Sequence, residues 1–374
     1  MRHIIIYTVL VLVICSCGQI TEKKSNIIVI DNFASAPKTI SIDEVVSHID
    51  YIQLETTQES LIGNINKLQI KDSKVYILDA RHSLMLVFDM KGKFIRRIGN
   101  RGRGPGEYLG ILDFALCDSV ILMRDGMQMK MILYDTLGRL IAEKHIPNTF
   151  ARVAFYNGMP ACEHNYPDFA YNNGFRISIF DRNLNLMESI LTSDLEIDEL
   201  AANQIGMSHS RSFFTNVSDT LTFWECRDDV VYKIINQNQI ERKYIFRYKS
   251  PAKFEDGMNR REPGCNEISG MKESRNQIFL VGRYDGEYRR LIYFKATENG
   301  ICVDDKLKNN SGPDFFPEDL ADDEKAYETF SVYAYKAELE KSNTSLERLD
   351  SKLQSLLRTC QFDDNPCIML VTLK

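Results

Sequence analysis

Arginine residues recur at related positions in this sequence, and their guanidinium groups suit the recognition of carboxylates and phosphates. Four of them stand at or just past the end of a strand-like apolar run, and two lie in a glycine-rich stretch: Arg81, Arg124, Arg227 and Arg283, then Arg101 and Arg103. Nearby aromatic residues, Trp224 and Tyr284 among them, could stack on a sugar or peptide ring. The pattern suggests a site for an anionic glycan or peptide. The alternative is that each arginine pairs with a neighbouring acid such as Asp79 or Asp125.

The glycine-rich stretch at 99–106 reads Gly-Asn-Arg-Gly-Arg-Gly-Pro-Gly and could in principle cradle a phosphate. A phosphate-binding loop of that kind needs a helix N-terminus behind it. Here strand-like runs precede and follow the stretch, and Pro105 interrupts it. The sequence therefore favours a crossover between two strands.

Signatures of catalysis and of metal binding are weak. The sequence contains neither Gly-x-Ser-x-Gly nor His-Glu-x-x-His. Cys162 and His164 could share one face of a strand, but no third metal ligand is visible near them. We therefore predict no catalytic residue, no metal and no cofactor. The rival hypothesis, a hydrolase or lyase acting on an envelope or dietary polymer, requires convergent His, Asp or Glu side chains with shifted pKa values.

The N-terminus is typical of an export signal. Arg2 and His3 precede an apolar run at 4–14 that is too short to span a bilayer. The following Ile-Cys-Ser-Cys-Gly resembles a bacterial lipobox, in which Cys17 would be lipidated and anchor the protein to a membrane of the cell envelope. The predicted location is the outer membrane. The sequence thus predicts a signal peptide at 1–16 and a polar tether at 17–38, against the alternative of an ordinary secretory signal with chance cysteines.

The composition is that of a globular protein. The chain has 374 residues, a formal net charge of −6 and 44% hydrophobic residues, which excludes disordered and coiled-coil classes. The acidic balance argues against a nucleic-acid partner, and a monomer is predicted. Seven cysteines follow Cys17, none of them in a Cys-x-x-Cys pair, so we predict buried free thiols. Cys360 and Cys367 are the nearest candidates for a disulfide.

A repeat of about 46 residues organises the chain. Short β-branched and aromatic runs at 65–70, 75–79, 84–89 and 94–98 predict four strands, and Asp89, Asp135 and Asp181 mark equivalent turns 46 residues apart. Five such units lie between 64 and 306. Four antiparallel strands per 40–50 residues are typical of a β-propeller blade. The prediction is an all-β, six-bladed β-propeller at 39–374.

The sixth blade must be assembled from both ends of the chain. A strand at 48–55 would pair with a strand at 367–374 and close the ring, with a further strand taken from 329–335. Leucines at helical spacing predict a helix over about 337–359 that is inserted before the closing strand. At the third repeated turn, Leu184 stands where the pattern expects glycine.

Several stretches carry a family resemblance. They are Tyr-Ile-Gln-Leu-Glu-Thr-Thr at 51–57, the 98–108 stretch, Asp-Val-Val-Tyr-Lys-Ile at 229–234, Gly-Pro-Asp-Phe-Phe-Pro at 312–317 and the terminal 364–370. Together they resemble six-bladed β-propeller lipoproteins of Gram-negative bacteria, and the 98–108 stretch looks like the blade junction of NHL-repeat propellers. The resemblance implies a propeller fold and export, and it implies no activity.

Overall fold

The structure is a computed structural model that describes residues 28–30, 35–146, 150–164, 175–192, 213–217, 220–224, 230–236, 239–246, 267–284 and 286–374. The strands are β1 (Ile28–Ile30), β2 (Val46–Gln53), β3 (Lys67–Lys71), β4 (Lys74–Asp79), β5 (Leu84–Asp89), β6 (Phe94–Arg97), β7 (Asn100–Arg101), β8 (Glu107–Tyr108), β9 (Ile111–Cys117), β10 (Val120–Asp125), β11 (Lys130–Asp135), β12 (Leu140–His145), β13 (Phe150–Tyr156), β14 (Met159–His164), β15 (Phe175–Phe180), β16 (Leu186–Thr192), β17 (Phe213–Val217), β18 (Thr220–Trp224), β19 (Val230–Asn236), β20 (Gln239–Phe246), β21 (Glu267–Glu273), β22 (Gln277–Tyr284), β23 (Glu287–Phe294), β24 (Asn299–Val303), β25 (Asp319–Leu320), β26 (Lys325–Phe330) and β27 (Cys367–Leu373). The helices are α1 (Val332–Lys341) and α2 (Ser351–Thr359), and single 3₁₀ turns lie at Ile42–Glu44 and Leu346–Arg348.

The strands form six antiparallel sheets that are arranged as the blades of a propeller. Blades one to five are β3–β6, β9–β12, β13–β16, β17–β20 and β21–β24, and blade six has the order β25-β26-β27-β2. The first strand of each blade lies innermost, and each contacts the inner strand of the next blade around the ring, β25 meeting β3 again. The six-bladed propeller predicted from the repeat is confirmed.

Blade six closes the ring through both chain ends, as predicted. β2 pairs antiparallel with β27, Ile49 lying opposite Val371 and Ile52 opposite Ile368. The strand predicted at 329–335 is wrong in its bounds, because β26 ends at Phe330. The Ser331 hydroxyl accepts the Ala334 N–H at 3.2 Å and starts α1 at the next residue.

The helical insertion is two helices, whereas one continuous helix over 337–359 was predicted. Asn343 takes a left-handed φ of 51° just after α1, which ends the helix. Asp350 then caps α2 by accepting the N–H groups of Lys352 and Leu353 at 2.8 and 3.2 Å. Leu353 and Leu357 are fully buried against blade six. The leucine periodicity therefore identified the buried face, and local capping divided the helix.

Apolar side chains hold the blades together at their interfaces. The described residues contain six clusters of buried hydrophobic side chains, and each cluster joins two neighbouring blades. Between blades one and two, for example, Tyr76 and Val87 pack with Phe114 and Ile132. Because each blade buries both faces only against its neighbours, the ring is stable as a unit.

The repeated aspartates cap the outer hairpins in the same way in three blades. Asp89 Oδ1 accepts the N–H groups two and four residues later at 2.8 and 2.9 Å, and Asp135 and Asp181 do the same. Gly92 supplies the left-handed residue of this turn with a φ of 83°. Leu184 takes a φ of 61° at the equivalent place and is fully buried, so the third turn keeps its geometry without glycine.

The segment preceding β2 runs along the outside of the ring. β1 pairs in parallel with β20, the outer strand of blade four. The Lys38 N–H donates to the Cys302 carbonyl of blade five at 2.9 Å. Part of the segment predicted as a tether at 17–38 therefore adds to the propeller, and Cys17 lies outside the described residues.

The cysteines of the described chain are unbridged. Free thiols are found at Cys117, Cys162, Cys302, Cys360 and Cys367, so the 360–367 pair forms no disulfide. Burial raises the pKa of the Cys367 thiol to about 12, which keeps it protonated and unreactive. Cys226 and Cys265 lie outside the described residues. Within the described ranges, none of the helices has the length and apolar character needed to cross a membrane.

Candidate functional site

The strand order fixes which loops share a face of the ring. All inner strands run in the same direction, so the crossovers between blades and the turns between second and third strands meet at one face. This crossover face includes the crossover at 98–110 and the turns at 79–84 and 125–130. The helical insertion connects the second and third strands of blade six and belongs to the same face.

The predicted arginines occupy different surroundings on this face. Arg81, Arg101 and Arg103 are exposed in the blade-one turn and the following crossover. Arg283 is also exposed, and its guanidinium lies 5.0 Å from the centre of the Tyr288 ring. Arg227 lies outside the described residues. The exposed arginines therefore stand on loops and strand ends at the crossover face, away from the inner strands.

In blades one and two, the acids proposed as arginine partners accept hydrogen bonds from backbone N–H groups. The buried Asp79 carboxylate accepts the Gly63 N–H at 2.7 Å and the His82 N–H at 3.1 Å. Asp125, 46 residues later, accepts the N–H groups of Leu109 and Gly110 at 2.7 and 3.2 Å. Each carboxylate thus ties the incoming crossover to the end of the second strand.

The glycine-rich stretch is the crossover from blade one to blade two, and strands flank it on both sides. β7 and β8 pair within it, and the Glu107 carboxylate accepts the Gly104 N–H at 2.7 Å. Gly99 has a φ of 66°, and a Cβ there would stand 2.6 Å from the Tyr134 hydroxyl. Close packing explains the glycines, against buried tyrosines at Gly99 and against the Glu107 side chain at Gly102 and Gly104, and no helix N-terminus lies behind the loop.

Three of the predicted site residues are drawn into the interior. Trp224 is 1% exposed and packs edge-on to Phe246 at 5.9 Å, so its indole is part of the core between blades four and five. Tyr284 packs partly buried against the same core. Arg124 is half-buried in β10; burial lowers its pKa, and the charges of Asp113 and Glu163 oppose that effect. Because the Trp224 indole is buried in the core, it does not offer a ring face for stacking on a ligand as the sequence suggested.

The inner strands enclose a channel with two connected cavities. One cavity of about 360 Å³ is lined by residues of β3, β13, β17, β21 and β25, and Trp224 closes part of its wall. A second cavity of about 400 Å³ shares Lys67, Gln69, Thr215 and Asn216 with the first. Both volumes fall within the range of small-molecule sites, about 300–1,000 Å³.

One carboxylate at the channel joins three blades. Asp113 of blade two accepts a hydrogen bond from the Lys67 ammonium of blade one at 2.7 Å. The other oxygen of Asp113 accepts the Val153 N–H of blade three at 2.9 Å. Because the charges of Lys67 and Asp113 are paired and hydrogen-bonded, this pair belongs to the ring's structure rather than to a ligand site.

Arg152 and Lys272 differ from Lys67 because neither forms an ion pair with a carboxylate of the described chain. Lys272 donates to the Pro317 carbonyl at 3.2 Å, and Arg152 Nε is buried without a hydrogen-bond partner among the described residues. Both line the 360 Å³ cavity. Burial lowers the pKa of Lys272, and the positive charge of Arg152 lowers it further. The negative charges of Asp319 and Glu318 raise it. Two cations therefore face the same enclosed space.

Four described carboxylates line the 360 Å³ cavity, and two of them, Glu273 and Asp319, differ in their partners; the others are Asp322 and Asp323. Glu273 is fully buried and accepts from the ammonium groups of Lys243 and Lys295 at 2.9 and 2.6 Å. Asp319 instead accepts one hydrogen bond, from the adjacent Leu320 N–H at 2.9 Å. The described lining contains no histidine. Glu273 is thus neutralised by its neighbours, while Asp319 keeps an oxygen available to the cavity.

The cysteine–histidine pair singled out in the sequence is internal to blade three. Cys162 Sγ and His164 Nε2 lie 3.7 Å apart on one strand face, as predicted, and the same ring nitrogen lies 2.9 Å from the Ser178 hydroxyl. In the parts of the chain that the structure describes, no three His, Cys, Asp or Glu side chains are grouped to hold a metal ion. The pair serves as a buried polar network.

The sequence reasoning missed Arg152 and Lys272. Both lie on first strands, β13 and β21, where alternating charges read as the solvent face of an ordinary half-buried strand. In a propeller the first strand of each blade lines the channel, so a charged residue there faces an enclosed space. Assigning blade positions before searching for charged residues would have found them.

The comparisons with known proteins agree with this architecture. A family model described as "Domain of unknown function (DUF4934)" matches residues 25–372. A candidate exported protein from Bacteroides fragilis has a similar structure, with a TM-score of 0.71, 17% identity and coverage of 93% of this chain and 99% of that one. This likeness shows the propeller fold. Among curated proteins, none matches the chain at a significant level.

Two further solved structures are similar at a lower level. A member of the DUF4221 family from Bacteroides vulgatus has a TM-score of 0.49, 10% identity and coverage of 88% of this chain and 97% of that one. A catalytically inactive virginiamycin B lyase from Staphylococcus aureus, solved with quinupristin, has a TM-score of 0.43, 12% identity and coverage of 75% and 81%.

Proposed function

The chain belongs to the DUF4934 family, and we propose that it is an exported binding protein whose propeller channel takes a ligand with a carboxylate or phosphate group. Arg152 and Lys272 carry this proposal, because they line one 360 Å³ cavity and form no ion pair with a described carboxylate. An anionic group of a glycan or a peptide would supply the missing counter-charge.

Both cations are half-buried, and an anionic ligand would offset the cost of their partial burial, an offset to which Asp319 and Glu318 already contribute for Lys272. Charged groups removed from water are normally paired, and the nearby Lys67 and Lys243 follow that rule with Asp113 and Glu273. Burial lowers the pKa of Lys272, the charges of Asp319 and Glu318 raise it, and the Arg152 charge lowers it. An anion placed between Arg152 and Lys272 would interact with both, and a planar guanidinium can hold a carboxylate by two parallel hydrogen bonds.

Export and membrane anchoring are part of the proposal. The basic start and apolar run at 1–14, followed by the lipobox-like Ile14–Gly18, support lipidation at Cys17 in the cell envelope, with the outer membrane as the proposed location. The similar structure from Bacteroides fragilis is that of a candidate exported protein, which agrees with an extracytoplasmic site. We also propose that the 98–108 stretch is a blade junction like those of NHL-repeat propellers.

Isothermal titration calorimetry with glucuronate, inorganic phosphate and glucose would test anion binding. We expect the two anions to bind the mature protein and glucose to bind weakly or not at all. Arg152→Ala and Lys272→Ala should each weaken anion binding about tenfold or more, since a hydrogen bond to a charged group contributes about 1.5–3 kcal/mol.

A variant of the exposed crossover arginines supplies the control. Arg101→Ala with Arg103→Ala leaves the channel intact and removes two positive charges from the crossover face. We expect this variant to bind glucuronate as the unaltered protein does. Binding that is lost in the crossover variant and kept in Arg152→Ala would move the site to the rim arginines and refute the channel proposal. Absence of binding by both anions would refute it as well.

A further inference from the structure

The channel also presents groups suited to a positive charge, and these restrict the ligand further. Asp319 lines the 360 Å³ cavity, and its carboxylate accepts one hydrogen bond from the neighbouring Leu320 N–H. No described cation lies within ion-pair distance of it, although its charge acts on Lys272. Gln69 lines the same cavity, and its Oε1 atom is buried without a hydrogen-bond partner in the described chain.

Asp319 stands on the opposite side of the ring from Arg152. Arg152 belongs to the inner strand of blade three, and Asp319 belongs to that of blade six. Blades three and six are opposite one another in a ring of six blades. Gln69 lies on the inner strand of blade one, next to blade six. One wall of the cavity therefore offers a guanidinium, the facing wall offers a carboxylate, and the blade next to that carboxylate offers an amide oxygen.

We infer that the channel ligand is a zwitterion, with an anionic end held by Arg152 and an ammonium end held by Asp319 and Gln69. This inference rests on the proposed function and names the ligand class for the same site. A short peptide with free termini has this chemistry, and so does an amino sugar that bears a carboxylate. In both classes the opposite charges stand at two ends of a small molecule, which matches the opposite charges on the two walls of the cavity.

A set of dipeptides separates the two charges of the ligand. The probes are Ala-Ala with free termini, N-acetyl-Ala-Ala, which lacks the ammonium, and Ala-Ala-amide, which lacks the carboxylate. Muramic acid, an amino sugar that carries both charges, is the fourth probe and distinguishes a sugar source from a peptide source. Calorimetric titration of the mature protein should show Ala-Ala or muramic acid binding about 10- to 100-fold more tightly than either blocked dipeptide, the range expected for one charged hydrogen bond.

The Asp319→Asn variant assigns the ammonium site. We expect it to weaken binding of the zwitterion about tenfold or more and to leave the affinity for N-acetyl-Ala-Ala unchanged. Lys71→Ala, which removes a charge from the other cavity, is the matched control and should change neither affinity. A folding defect in Asp319→Asn would lower both affinities together, so the comparison within one variant separates misfolding from loss of the contact.

The possible results bear differently on the two proposals. If N-acetyl-Ala-Ala binds as tightly as both zwitterions, or if Asp319→Asn melts at the temperature of the unaltered protein and weakens all of them equally, the zwitterion inference is overturned and the anion-binding proposal stands. If no probe with a carboxylate binds, both are overturned. If Ala-Ala-amide alone binds and needs Asp319, the channel is a cation site and the proposed function fails.

Discussion

Replacing Asp125 with alanine should loosen the connection between blades one and two. The Asp125 carboxylate is fully buried and accepts four backbone N–H groups, two from the crossover and two from its own turn. The Gln128 side-chain amide donates a fifth hydrogen bond at 2.8 Å. Removing the carboxylate leaves all five donors without their acceptor in one step.

The expected loss follows from the exposure of those donors. A donor left unsatisfied in the interior costs about 1–3 kcal/mol, and less where water can reach it. Gly110 is buried, whereas Leu109 and Gln128 are partly exposed and Met127 is exposed, so these three can recover water. We therefore expect Asp125→Ala to lower the free energy of unfolding by about 4 kcal/mol. Asp125→Asn should lower it by about 2 kcal/mol, because one acceptor oxygen remains.

The effect of Asp125 should depend on pH. Burial alone would raise the pKa of this carboxyl, but the hydrogen bonds from Leu109 and Gln128 outweigh burial and hold the pKa below its usual value. A carboxyl whose pKa is depressed by folding stabilises the protein fully above the unfolded pKa, about 4, and loses that contribution as the pH falls through the folded pKa. The difference in stability between the unaltered protein and Asp125→Asn should therefore narrow in acid.

Urea denaturation at neutral pH and near pH 3 would measure these differences, with Asp135→Ala as the control. Asp135 accepts two backbone N–H groups in a solvent-facing hairpin turn, so its loss should cost about 1 kcal/mol. The reasoning fails if Asp125→Ala lowers the free energy of unfolding by no more than Asp135→Ala does. It also fails if the deficit of Asp125→Asn grows in acid.

Three further predictions concern backbone geometry, a buried charge and the N-terminus. Gly92→Ala should destabilise the protein by at least about 2 kcal/mol more than Gly138→Ala. Both glycines have a left-handed φ, but only at Gly92 would a Cβ stand 1.9 Å from a backbone oxygen, that of Gln53. Equal melting temperatures of the two variants would contradict this. Glu273→Gln should cost about 3 kcal/mol in urea denaturation, because two lysines lose their shared carboxylate, and an unchanged midpoint would count against it. Cys17→Ser should move the exported protein from the membrane to the soluble fraction on cell fractionation; membrane retention without a lipid detectable by mass spectrometry would exclude lipidation at this residue.

Much of the fold was readable because its signals are local. The aspartates 46 residues apart each cap a hairpin through N–H groups two and four residues later, so their spacing reports the repeat directly. Closure of the ring by the two chain ends followed from counting strands, since an unpaired edge strand is unfavourable. The division of the insertion into two helices depended on a cap at Asp350 within a leucine pattern that continues across the break.

The site was less readable because its residues are distant in the chain. The predicted arginines were identified by their place at strand ends, which the structure puts on exposed loops for Arg81, Arg101 and Arg103. Arg152 and Lys272 have no local pattern that distinguishes them from solvent-facing residues. Their significance comes from enclosure by inner strands of other blades.

The sequence by itself determined the blade count, the capping of the hairpins and the leucine face of the insertion, since each depends on contacts within about fifty residues or on the burial of apolar side chains. Only the tertiary structure decided which charges are neutralised. Lys67 finds Asp113 in the next blade, whereas Arg152 and Asp319 face one cavity from opposite blades. The physical reason is that electrostatic pairing depends on separation and burial in space, and ring closure sets both for residues far apart in the chain.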